Sequence, residues 1–115
     1  MNPLPHEIEL QKVLDAIKEV APSFEVPPIY MFQFIERTDR RGDASSVGEI
    51  RLSMRTIGEF NCKNEQFVKT TVHEVVHLNY WEDNHNENFQ TANNLIFRKV
   101  WTKLNEKKSS IKTTD

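Results

Sequence analysis

His73-Glu74-Val75-Val76-His77, reached through Asn64-Glu65-Gln66-Phe67-Val68-Lys69-Thr70-Thr71-Val72, is the stretch on which the reading of this chain turns. On a helix, residues four apart project from one face about a turn apart, so both imidazoles can reach one ion while Glu74 points toward whatever that ion holds. With four histidines in 115 residues, shuffling produces the pattern in roughly one chain in a hundred. The lead-in predicts the helix. Asn64 is an N-cap residue type, and acidic Glu65 suits the first turn. Phe67, Val68, Val72, Val75 and Val76 recur at spacings of three and four, so the motif falls mid-helix with an apolar face beside it. The three valines are β-branched and mediocre helix formers, which leaves tertiary packing to hold the segment. A Zn²⁺ ion with three protein ligands keeps a position for water and lowers that water's pKa to roughly 7, so Glu74 is expected to be the general base. The bland description of the same residues is a surface helix with two histidines and a solvated glutamate.

A third ligand is expected just beyond the helix, where Glu82, Asp83, His85 and Glu87 are candidates. His85 is preferred, because neutral imidazole is the commonest zinc ligand among these types and Asn84-His85-Asn86-Glu87-Asn88-Phe89 reads as a turn feeding another helix. Asp83 competes. It lies at the separation used by HExxHxxGxxH/D peptidases, although Tyr80 stands where those chains place a turn-forming glycine. His6, at the start of the first helical segment, is expected to face solvent.

These residues carry a family resemblance. The chain resembles a minimal, single-domain SprT-like or YgjP-like zinc metallopeptidase domain of the HExxH, gluzincin type. Such domains share a strand with a small-residue, glycine-containing segment followed by "IRL", then an HExxH helix, then a histidine in an H-x-x-x-F segment opening a further helix. Here these read Ser45-Ser46-Val47-Gly48-Glu49-Ile50-Arg51-Leu52-Ser53, His73 to His77, and His85-Asn86-Glu87-Asn88-Phe89. The likeness covers about residues 45 to 101, and by itself only HExxH is specific. It implies zinc held by His73, His77 and His85, with Glu74 as general base. The glycine-proline that often follows the third histidine in SprT-like chains is absent, and the gap from His77 to His85 is two residues longer than in the YgjP-like pattern.

Outward from the motif, the sequence predicts an α+β fold: a minimal zincin-like domain over 1–104, with a small sheet packed by an N-terminal helix, the metal helix and a C-terminal helix. Residues Gly48 to Met54 alternate, with Ile50, Leu52 and Met54 on a core face and Glu49, Arg51 and Ser53 on a wet one. This strand is expected to offer a free edge to an extended substrate. From Pro5 to Ala21, Ile8, Val13, Leu14, Ile17 and Val20 form a packing stripe. Pro22, Pro27 and Pro28 break it, and Ile29 to Ile35 reads as a second strand. Charges and Gly42 mark Arg37 to Asp43 as a loop. Phe89, Ala92, Ile96, Val100 and Leu104, adjoined by Phe97 and Trp101, predict the last helix, and residues 105–115 a polar, disordered tail.

Composition bounds the function classes. At 37% hydrophobic and 28% charged residues, the chain is of ordinary globular type and of a length for one domain. No apolar run approaches the roughly 20 residues that span a bilayer, and no secretory pattern opens the chain, so a cytoplasmic protein without a membrane partner is expected. Lone Cys62 agrees and is expected to be buried or incidental. A protein or peptide substrate follows from the motif. Nucleic acid is weakly supported as a partner: Arg37, Arg40, Arg41, Arg51 and Arg55 are the main basic concentration, but net charge is −2 and a solvated loop beside a strand accounts for them better. Tyr30, Asn79, Tyr80, Asn94 and Arg51 are all chemically able to stabilise an oxyanion. The predicted function is zinc-dependent peptide-bond hydrolysis. Its rivals are a catalytically silent, zinc-stabilised interaction module and a metal-free interaction protein using Trp81, Phe97 and Trp101.

Overall fold

In a computed structural model, which describes residues 5–45, 47–80 and 86–105, four helices accompany a three-stranded sheet, an α+β arrangement. Helix α1 spans Pro5–Val20 and buries Leu10, Val13, Leu14 and Ile17, the three-and-four spacing of a core stripe. Leu10 takes the place expected of Ile8, which is 45% exposed because it lies about 200° around the helix from Leu10. His6 does not face solvent freely. Its ring is half-buried, edge-on to Phe34 at 4.6 Å between centroids.

The expected strand at Ile29 to Ile35 is divided. Ile29–Met31 form a 3₁₀ turn after the two prolines, with Tyr30 81% exposed, and strand β1 covers only Phe32–Ile35. Strand β2, Gly42–Ala44, occupies part of what reads as a loop in the sequence, and β3 is Ile50–Ser53. The order is β1-β3-β2, with β1 parallel and β2 antiparallel to β3. The IRL strand is therefore central and has no free edge. Among the described residues the open edges belong to β1 and β2, so the free edge expected of β3 is not found there.

Ile50 and Leu52 are fully buried as the alternation predicts. Ser53 is buried too, against expectation, because β3 ends by turning into the one-turn helix α2, Met54–Ile57, and its hydroxyl is drawn inward. The Ser53 Oγ accepts from the Arg37 and Thr56 backbone N–H groups and donates to the Arg37 carbonyl at 2.7 Å. Gly58, at φ 88°, ends α2 in a conformation that glycine adopts without steric penalty.

Helix α3 is Glu65–Asn79, and Asn64 caps it through its side-chain oxygen to the Gln66 N–H. Helix α4 is Glu87–Asn105, one residue longer than the domain boundary read from sequence. The expected tail beyond it lies outside the described residues. Helices α1, α3 and α4 pack on one another, and α3 also lies against β2 and β3. Phe67, Val68, Val72, Val75 and Val76 are completely buried in that shared position, so packing on both sides holds a helix of modest intrinsic propensity. No helix among the described residues is long and apolar enough to cross a membrane.

Candidate metal centre

Helix α3 places His73 and His77 side by side, with ring centroids 4.8 Å apart and planes at 86°. Both rings are half-buried. Phe89, from the first turn of α4, packs on the pair at 5.0 Å from His73 and 4.5 Å from His77 and is only 1% exposed. The phenylalanine of the H-x-x-x-F segment thus clamps both imidazoles against α3.

Glu74 is 5% exposed. Burial pushes its carboxyl up to about 7, the Asp43 charge adds to the rise, and Arg40 acts in the opposite direction. The bland description of a solvated glutamate does not hold. Thr70, Glu74 and Leu78 follow one another four apart along a single helix face, and β2 runs beside that face: a Cβ built on Gly42 would meet Thr70 Cγ2 at 3.3 Å.

Between helix and strand lies a cavity of about 330 Å³. One wall carries Lys69, Thr70, His73 and Glu74, the other Arg40, Arg41 and Gly42. Sequence reasoning missed this second wall as part of the site, because the charged run ahead of β2 has the composition of a loop. Across the β2–β3 pair, Arg51 forks onto the Asp43 carboxylate at 2.7 and 2.8 Å, which holds Asp43 in place under the cleft.

The expected third ligand, His85, and its competitors Asp83 and Glu82 lie outside the described residues, as does Trp81. Glu87 is exposed at the start of α4. Among the described residues no three His, Cys, Asp or Glu side chains converge into a group that could hold a metal. The pair present fits a zinc ion in chemical type: two nitrogen donors one turn apart, without the array of oxygen donors that calcium or magnesium prefers. Tyr80, standing at the glycine position of the longer peptidase motif, has φ −129°, outside the left-handed region such a glycine would use, and packs on Phe24 at 5.9 Å.

Two of the oxyanion candidates are engaged elsewhere. Asn79 binds the Glu25 backbone through both side-chain atoms, at 2.8 and 3.0 Å, and so pins the end of α3 to the loop after α1. Arg51 is held by Asp43, and the Tyr80 ring packs on Phe24 outside the lining of the cavity. Neither Tyr30 nor Asn94 lines the cavity. Cys62 is buried and free, its thiol pushed up to about 12 chiefly by burial, and is no nucleophile. No family model, no curated protein and no solved structure matches this chain.

Proposed function

We propose that this chain is a zinc-dependent endopeptidase of SprT-like or YgjP-like type with a zincin-like arrangement of helix and strand. The observation that carries the proposal is a buried Glu74 on the same helix as two adjoining imidazoles, beside the open edge of β2. His73 and His77 would hold the ion, with His85 as the third ligand and Asp83 as its competitor. When bound, zinc supplies Lewis acidity toward a scissile carbonyl and makes water acidic enough to ionise near neutral pH.

The chain's own residues supply the rest. Glu74 takes the proton from the attacking water and hands it to the leaving amine. Its burial keeps bulk water from solvating the carboxylate, which preserves its basicity. Phe89 fixes the orientation of both rings. The free edge of β2 offers backbone N–H and C=O groups to an extended peptide, which aligns a substrate without demanding much of its sequence. Buried, unpaired Cys62 fits a cytoplasmic setting.

Metal content measured by mass spectrometry on untagged protein tests the reading, with His77→Ala and His85→Ala alongside. One zinc per chain is expected, lost or sharply weakened in both variants. Glu74→Gln should keep zinc and lose cleavage of an unfolded protein substrate by about 100-fold or more. Zinc without cleavage by the wild type would leave the silent, zinc-stabilised module, and absence of zinc under replete conditions would end the proposal.

A further inference from the structure

The cleft beside Glu74 is asymmetric in charge. Around β2, Arg37, Arg40 and Arg41 from the segment before it and Arg51 from β3 bring four guanidinium groups to two carboxylates, Asp39 and Asp43. Arg37 forks onto Asp39, Arg51 forks onto Asp43, and Arg40 reaches both carboxylates only at 3.6 and 3.4 Å. Arg41 is exposed and has no carboxylate partner among the described residues. Across the cavity Lys69 likewise lacks one there, resting 5.9 Å above the Phe97 ring. Two cations, neither ion-paired among the described residues, therefore line the same cavity as His73 and Glu74.

The other end is different. Beyond the β2 strand, the hairpin turn at Val47 and Gly48 borders a second hollow of about 380 Å³ shared with Met31, Pro27 and Leu78. Leu78 lies one turn beyond Glu74 on the same face of α3, so Glu74 stands between a basic end and one whose only charged lining residue, among the described residues, is the acidic Glu25. A peptide pairing antiparallel to β2, the more stable ladder, runs from the Val47 end toward Arg41. Its residues after the cleaved bond then enter the basic cavity.

We infer that this site selects substrates carrying a carboxylate shortly after the scissile bond, bound by Arg41 and Lys69 across the cavity. The inference rests on the peptidase reading for the position of the cut, but the recognition itself is a binding property. The carboxylate comes either from an Asp or Glu side chain or from a free C-terminus. A cavity of about 330 Å³ accommodates one such residue, and a nucleic-acid duplex is far too wide to enter it.

Binding and cutting separate the two claims. Fluorescence anisotropy on full-length, zinc-loaded Glu74→Gln protein compares four peptides of one core sequence: two amidated, with an internal Glu or an internal Gln, and two without either residue, ending in a free carboxylate or an amide. Binding at least about tenfold tighter for a carboxylate over its neutral counterpart is expected, and which pair shows it identifies the source. Arg41→Glu should erase that preference and favour a Lys-containing peptide, and Lys69→Glu should do the same; circular dichroism checks that both variants fold. Mass spectrometry of products cut by the wild type should place the carboxylate after the cut. Equal affinities for all four peptides, or a preference before the cut, would overturn the inference. So would salt-sensitive binding of duplex DNA that Arg41→Glu abolishes while peptide charge has no effect. Charge-selective binding with no cleavage would keep the recognition and sink the peptidase reading.

Discussion

Gly42 owes its identity to a neighbour outside its own strand. A Cβ built there would come within 2.7 Å of the Arg51 carbonyl oxygen, and that oxygen belongs to rigid β3 backbone. Gly42→Ala should therefore cost about 1–3 kcal/mol, readable in a urea melt, and should shift β2 against α3. An unchanged midpoint would show that the edge strand is free to move aside. Glu9 governs acid stability locally. The Cys62 backbone N–H donates to its carboxylate at 2.9 Å and holds its pKa below the ordinary 4.5, with Lys12 contributing. Since the folded value is the lower one, this stabilisation is full above pH 4.5 and fades as pH falls from there through the folded value. Glu9→Gln should cost about 1–2 kcal/mol at pH 7 and progressively less below pH 4.5, where stability curves against pH should converge. A constant difference down to pH 3 would assign the effect to packing rather than charge.

At the scale of elements, α3 and α4 form the site together, through Phe89. Phe89→Leu keeps most of the core volume but loses the flat ring against the imidazoles. It should cost about 1–2 kcal/mol in stability and, under the proposed function, weaken zinc binding about tenfold in a chelator competition. Stability loss with unchanged zinc affinity would reduce Phe89 to a core residue. Helix α3 was legible in the sequence because its signals are local: the Asn64 cap, the acidic first turn and apolar residues at helical spacing all point the same way. The β2 edge was not. A three-residue strand leaves little room for alternation, its neighbours are charged, and its glycine answers to the Arg51 carbonyl in β3, distant in sequence. Ser53 misled for a related reason, since the alternation that predicts a wet face stops applying where β3 bends into α2 and a hydroxyl can be buried on three backbone partners. The two adjoining imidazoles followed from spacing alone, whereas the burial of Glu74 and the basic wall beside it are products of how β2 lies against α3.

For the whole molecule, one modest core is shared among three helices and a small sheet, so a ligand bound only by the folded state has measurable leverage. Under the proposed function, zinc at a hundredfold excess over its dissociation constant should stabilise the fold by about 2.7 kcal/mol, a rise in melting temperature of roughly 10 °C. Indifference of the melt to zinc and to chelator would argue against a site built into the fold. The order of elements along the chain adds a consequence in time. The ribosome makes both histidines and Glu74 before it makes Phe89, and α4 must emerge from the exit tunnel and dock before the imidazoles are clamped. A growing polypeptide that stops short of α4 therefore carries both histidines and Glu74 without the ring that packs on the imidazoles, and under the proposed function it is not yet a working protease.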